Sequence, residues 1–167
     1  YRASVPKIPE LWSYLDSEIL EAIHNGDEIV FGPNDIMRTG KDCIYTPSGF
    51  ALHYPRLHRQ ESTNGRKGQW TYYGRGNKPI GIWGGGLAEN IIQHLARLVI
   101  TYQLTLVAER YKVATTTHDE IVALIPESEA EEGCVWIVEQ MRQTKPWMSG
   151  LPINAEGNYG VTYKDCK

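Results

Sequence analysis

The stretch KVATTTHDEIVALI, Lys112–Ile125, decides the fold. Lys112–Thr117 and Ile121–Ile125 are both rich in β-branched residues, and His118-Asp119-Glu120 lies between them. Two β-prone runs around a short polar insert predict an antiparallel hairpin with three ionisable residues at its tip, ended by Pro126. The first strand is polar at its end (Thr115, Thr116, Thr117), whereas the second is wholly apolar. Adjacent carboxylates on a rigid tip suit a hard cation such as Mg²⁺, which takes oxygen ligands and keeps several waters. An Asp-Glu pair is also ordinary composition for a solvated turn, and the triplet by itself does not decide between the two.

Upstream of the hairpin, Gly84-Gly85-Gly86 precedes the strongest helical pattern in the chain, about residues 87–110. Its expected apolar seam is Ala88, Ile91, Ile92, Leu95, Val99, Tyr102 and Leu106. A second stripe, Glu89, Gln93 and Arg97, runs at i, i+4 spacing. On so apolar a helix this stripe is expected to face a groove. Downstream, Ser128 and Glu131 have capping-box spacing for a helix carrying Cys134, Val135, Ile137, Val138 and Met141. The tail, with Gly150, Pro152, Gly157 and Gly160, is expected to end in a short strand against the sheet.

At the other end, Pro6 and Pro9 lead into a helix with Ile8, Leu11, Trp12, Leu15, Ile19 and Ile23 at helical spacing, stopped by Asn25-Gly26. Short β-prone pieces come next at Ile29–Phe31, Asp42–Thr46, Phe50–Tyr54, Gln69–Tyr73 and Pro79–Trp83. Gly-Pro, Pro-Ser-Gly, Asn-Gly and Gly-Arg-Gly signals divide them into one or two irregular hairpins. Helices and antiparallel hairpins in separate runs make the expected class α+β.

The 167 residues carry a net charge of −3, against a uniformly basic protein. The distribution is uneven. Arg56, Arg59, Arg66, Lys67, Arg75 and Lys78 stand with Tyr54, Trp70, Tyr72 and Tyr73, opposed only by Glu61. Residues 127–139 are acidic instead. Such a basic, aromatic segment suits either a polyanion-binding face or a solvated hairpin. Cys43, Cys134 and Cys166 are scattered without zinc-ligand spacing and are expected to be reduced thiols of an intracellular, cytoplasmic protein. No apolar run approaches the ~18 residues of a membrane span, so no membrane partner is expected. Because the first residue is Tyr1, the chain is expected to derive from a longer protein.

With these residues in place, the chain resembles the C-terminal part of family A (DNA polymerase I type) DNA polymerases, most of all those of bacteriophages. Thr117-His118-Asp119-Glu120-Ile121-Val122 is similar to the Val-His-Asp-Glu hairpin of the family's palm, its motif C. Gly84-Gly85 with Glu89-Asn90-Ile91-Ile92-Gln93 resembles the start of the palm helix whose glutamine reaches the primer terminus. Residues 1–26 resemble the helix that comes after the fingers, and Pro47-Ser48-Gly49 with Tyr54-Pro55 resembles the strand pair beyond it. Gly150-Leu151-Pro152 and Glu156-Gly157 resemble the last strand of the phage enzymes.

The resemblance implies one partial polymerase domain over residues 1–167: a post-fingers helix to residue 26, irregular hairpins over 27–83, and a palm over 84–167. The palm would be an antiparallel sheet with a catalytic hairpin backed by the long helix. Asp119 would be the second catalytic aspartate and Glu120 its supporting carboxylate, both of them metal ligands. His118, Gln93 and Asn90 would contact DNA, with Arg97 and Arg56 on phosphates. Two Mg²⁺ ions about 4 Å apart would serve the complete enzyme. Primer-template DNA, dNTP and the missing N-terminal part of the polymerase would be the partners, in the host cytoplasm if phage-encoded.

Two departures shape the expectation. Where the family often carries a basic run before its Tyr-Pro, this chain has Phe50-Ala51-Leu52-His53, leaving Arg56 or Arg59 to substitute. The family's first aspartate and its fingers lysine are also missing. Asp16-Ser17-Glu18 sits on an amphipathic helix without the downstream Glu-x-Arg, and Lys67 to Tyr73-Gly74 reads as strand; neither replaces them. The expected function is therefore a polymerase fragment inactive alone. A stand-alone nucleic-acid-binding module using the basic aromatic hairpin is the alternative, and a small metal-dependent nuclease on Asp119 and Glu120 is a third reading.

Overall fold

The computed structural model describes residues 4–61 and 68–166. Tyr1, Arg66, Lys67 and the Asn64-Gly65 turn signal lie outside the described residues. The chain is α+β, with antiparallel sheets and one long helix. It divides into two compact units, Tyr1–Leu95 and Ala96–Lys167.

In the first unit, helices α1 (Lys7–Tyr14) and α2 (Leu20–Asn25) are joined by a π-helical turn, Leu15–Ile19. The Leu20 N–H reaches the Leu15 carbonyl there, a π-turn spacing that apolar periodicity does not reveal. Gly26 ends α2 with φ +87°, as Asn25-Gly26 predicts. Ile19, Leu20 and Ile23 are fully buried.

The expected hairpins are two separate sheets. Strands β1 (Val30–Phe31), β2 (Met37–Gly40), β3 (Cys43–Tyr45) and β4 (Ala51–His53) form an antiparallel meander. Strands β5 (His58–Arg59), β6 (Trp70–Tyr73) and β7 (Pro79–Ile82) form a second. Strands β2 and β5 are additions to the β-prone pieces expected from the sequence. Strand β2 buries Met37 and Thr39 in alternation with Arg38, a period-two pattern in which only one inward residue is apolar. The Thr39 hydroxyl accepts from the Ile29 N–H at 2.7 Å and donates to the Asp27 carbonyl at 2.7 Å, so its inward place is fully satisfied.

Helix α3 runs from Gly84 to Ala108 and so begins within the glycine triplet, three residues earlier than expected. Asp16 explains the start. Its Oδ1 accepts the Gly84 N–H at 3.1 Å, satisfying a donor that a helix start leaves open. The Trp70 indole N–H donates to the Asp16 carbonyl at 3.1 Å. A Cβ on Gly84 would lie 1.8 Å from the Trp12 carbonyl oxygen, so only glycine permits this approach.

The expected seam of α3 is corrected. Leu87, Ala88 and Ile91 join the core of the first unit, but Ile92 is 63% exposed. Beyond Leu95 the buried positions are Ile100, Gln103 and Val107, one residue later than expected. The buried stripe includes a glutamine whose amide donates to the Met141 carbonyl, and a purely apolar criterion passes over it. By length and composition alone, α3 is long and apolar enough to cross a membrane, although no uninterrupted apolar run in it reaches that length.

In the second unit, β8 (Lys112–Thr117) and β9 (Glu120–Leu124) form the predicted hairpin, with a 3₁₀ turn and α4 (Ala130–Met141) after it. The base of the hairpin is backed by α4, where a Cβ on Gly133 would touch Ile125 and the Tyr111 hydroxyl. The Ser128–Glu131 capping box does not form: Ser128 lies inside the 3₁₀ turn, and Glu129 occupies the N-cap with its carboxylate turned to Arg110 and Tyr111, not to the helix backbone. The expected last strand is also absent among the described residues. The tail holds 3₁₀ turns at Pro146–Met148 and Tyr163–Cys166; Gly157 and Gly160 serve close approaches, to Val138 and Asp165, and Gly150 adopts φ +82°.

Asp16→Ala should lower the stability of the chain by about 1 kcal/mol, the ordinary cost of losing a helix-start acceptor. Gly84→Ala should cost more, in the range of about 2–4 kcal/mol, because backbone rather than a flexible side chain blocks the added methyl. Urea unfolding of the two variants checks the order; a Gly84→Ala protein as stable as the parent would contradict the packing described.

Candidate functional site: a histidine-aspartate hairpin tip

Strands β8 and β9 pair Thr117 with Glu120, so the tip is the two-residue turn His118-Asp119 and not the expected triplet. Glu120 opens β9. A β-bulge sets the length of the turn. Val113 pairs with Ala123 and Thr115 with Val122, leaving Ala114 without an opposite residue. Continuing the pairing of Val113 and Ala123 without the bulge would put Thr116 opposite Glu120 and enlarge the turn to three residues. The bulge therefore fixes which residues occupy the tip and to which face Thr115–Thr117 turn.

His118 has φ +54°, in the left-handed region. Histidine enters this region more readily than most residues, but glycine is what a tight hairpin ordinarily uses there. His118 and Asp119 are exposed, and Glu120 is half-buried. The Tyr163 hydroxyl donates to Glu120 Oε1 at 2.6 Å from 43 residues downstream. No feature of the sequence points to that bond. Among the described residues there is no group of three or more His, Cys, Asp or Glu side chains that could hold a metal.

The residues expected on α3 divide in two. Glu89, Gln93 and Arg97 are exposed, and the Gln93 amide donates to Glu89 Oε1 at 3.0 Å, one of the pairings their spacing allows. The next face of the helix turns inward. The Asn90 amide reaches the Tyr54 hydroxyl at 3.4 Å, and His94 Nε2 lies 3.2 Å from Thr46 Oγ1. Burial pushes the Tyr54 hydroxyl up to about 12 and holds the His94 imidazole below its ordinary 6.5. Through Thr46, His94 ties α3 to the Pro47-Ser48-Gly49 turn, whose closing bonds are Thr46 N–H to the Phe50 carbonyl and Gly49 N–H to the Thr46 carbonyl.

Arg56 is exposed but engaged. Its φ is +54°, and the Asp42 carboxylate accepts the Arg56 and Leu57 N–H groups at 3.1 and 3.2 Å. Its guanidinium lies 3.9 Å from the Tyr73 ring centroid and donates to Asn77 Oδ1. Arg59 lies 5.4 Å from the Trp70 ring centroid. Of the four aromatics expected to interleave the basic stretch, Tyr54 and Trp70 are each 2% exposed. Tyr73 is covered by Arg56 and stacks with His58 at 5.9 Å. Core packing thus removes two of the four rings from the stacking surface that the binding-module alternative needs, while Tyr72 and Tyr73 stay half-buried.

Comparisons of the chain with protein-family models, curated proteins and solved structures gave no match. Function is accordingly inferred from these residues and from the sequence resemblance.

His118→Gly should leave hairpin stability unchanged or slightly higher, while His118→Val should cost about 1–2 kcal/mol, because a β-branched residue is forced into left-handed backbone. Equal unfolding midpoints for the two would contradict the turn. For His94, whose folded-state pKa lies below 6.5, the unfolded chain takes up the proton first as pH falls. Its contribution to stability is complete above about pH 6.5 and declines on acidification below it. Thermal melts from pH 7.5 to 5 should show this decline, and His94→Gln should flatten it.

Proposed function

We propose that this chain is the C-terminal portion of a family A-like, template-directed DNA polymerase and is inactive alone. The observation that carries the reading is the two-residue His118-Asp119 turn, exposed at the end of a bulged hairpin, with Glu120 beginning the return strand. Bulges and strained turns recur beside active sites, where they aim side chains. The order of the polar helix stripe, the hairpin and the tail supports the same reading through the resemblance.

The donor set limits what the chain could do with Mg²⁺. Two neighbouring carboxylates fit one largely hydrated ion, since Mg²⁺ is commonly held by one or two carboxylates with waters. They do not fit two ions, and the described residues offer no third ligand to complete a group. Bound metal would supply Lewis-acid stabilisation of phosphate oxygens. The chain's own residues would do the rest. Asp119 presents a carboxylate clear of the sheet, and Glu120 adds a second one. The exposed Gln93 amide suits the minor groove, where N3 and O2 acceptors are common to all base pairs and pairing geometry can be sensed without reading sequence. His118 and Arg97 are exposed donors for the primer strand. Arg56 would reach phosphate only by exchanging its bond to Asn77.

In the chain reunited with its upstream polypeptide, Asp119→Asn should abolish nucleotide addition with duplex binding nearly intact, because the isosteric amide lacks the charge the metal needs. Gln93→Ala should slow extension moderately, by about fivefold for a lost hydrogen bond of about 1 kcal/mol, and change discrimination against a mispaired primer end. Single-turnover extension from matched and mismatched ends, with binding measured separately, checks both. Near-normal extension by Asp119→Asn, or a loss explained by collapsed duplex binding, would overturn the assignment and favour a binding module.

A further inference from the structure

We propose that the C-terminal turn is part of the hairpin site: Tyr163 is a positioning residue that sets the Glu120 carboxylate for cation binding beside Asp119. This role rests on the reading of the hairpin tip as a metal-binding site.

The Tyr163–Glu120 bond, at 2.6 Å, has the length of a hydroxyl donating to an ionised carboxylate. It uses Oε1 and leaves Oε2 to another ligand. A glutamate side chain has three rotatable bonds, so without such a bond its carboxylate samples many positions around the first residue of β9. A phenolic donor removes much of that freedom without consuming the charge. This is how outer partners orient the ligands of metal sites.

The tail is built to deliver the hydroxyl. Asp165 Oδ2 accepts both the Thr162 N–H at 3.0 Å and the Thr162 hydroxyl at 2.6 Å, closing the turn that carries Tyr163. The Asp165 N–H returns to the Thr162 carbonyl at 2.9 Å. Gly160 allows the close pass, because a Cβ there would lie 2.5 Å from Asp165 Cβ. Farther back, Arg142 donates to the Ala155 carbonyl at 2.7 Å, and Gly157 lies against Val138 of α4. A tail held at these points, with its hydroxyl on a carboxylate at the hairpin tip, amounts to a brace for that carboxylate.

The test uses Mn²⁺ as a paramagnetic probe on the full 167-residue chain, with NMR line broadening read at residues 117–121. In the parent, broadening should centre on His118–Glu120 at millimolar Mn²⁺ and be reversed by excess Mg²⁺. Tyr163→Phe, which removes only the hydroxyl, should raise the Mn²⁺ needed for half-broadening by about three- to tenfold, the range expected when a charge-assisted hydrogen bond is lost at an exposed site. Its melting temperature should stay close to the parent's, a separation that a merely structural role would not give. Asp165→Asn, which loosens the turn, should shift the Mn²⁺ midpoint in the same direction. Broadening in the parent with an unchanged midpoint in Tyr163→Phe would overturn the positioning role and leave the metal site standing. No broadening at the tip of the parent would overturn the metal-site reading and the positioning role with it.

Discussion

Asp16 is the residue on which the first unit turns. Its carboxylate accepts the first N–H of the long helix, and its carbonyl accepts the indole N–H of Trp70, itself buried in the core. One residue in a π-helical turn thereby fixes where the long helix starts and where the second sheet docks. The approach works only because Gly84 carries no side chain to meet the Trp12 carbonyl. Once the start of the helix is set, its 3.6-residue repeat dictates the direction of each later side chain. Leu87 and Ile91 enter the core, Asn90 and His94 bind Tyr54 and Thr46 just beyond the ends of β4 and β3, and Glu89 and Gln93 are left outside. The exposure of Gln93, on which its proposed minor-groove contact depends, is thus a consequence of a hydrogen bond at the helix start.

In the second unit a comparable constraint is the bulge at Ala114. It moves the pairing by one residue, makes the turn two residues long and puts Thr117, not Thr116, opposite Glu120. A carboxylate in a paired strand has a fixed backbone, and Tyr163 then fixes its side chain. Asp119, in the turn, stays exposed. Asp119 in the turn and Glu120 in the strand are adjacent carboxylates with different degrees of restraint, and under the proposed function they would take the unequal roles of ligand and supporting group.

Some of this is legible in the sequence, and the rest is hidden for identifiable reasons. The hairpin, the long helix and the Gly26 stop are readable because each combines a strong periodicity or turn signal with an uninterrupted element. Strand β2 is not, because its inward residue Thr39 is polar and satisfied by backbone groups 10 and 12 residues away. The helix seam is misplaced past Leu95 because Gln103 occupies a buried position. The aromatic residues of the basic stretch give no sign that Tyr54 and Trp70 belong to the core, since composition alone does not distinguish a stacking face from a packed one. Asp16 reads as part of an amphipathic helix, yet its capping role depends on the distant Gly84. The Tyr163–Glu120 bond is invisible because nothing local marks either residue for the other.

Under the proposed function, this chain holds one part of a polymerase site and lacks another. The decisive measurement is primer extension by the purified chain alone and by the chain mixed with a polypeptide supplying the family's first aspartate and fingers lysine. Neither component should extend a primer, and the mixture should show metal-dependent extension that is lost when Asp119 is replaced by Asn. Extension by the chain alone, or a stable mixture that binds primer-template yet adds no nucleotide, would contradict it.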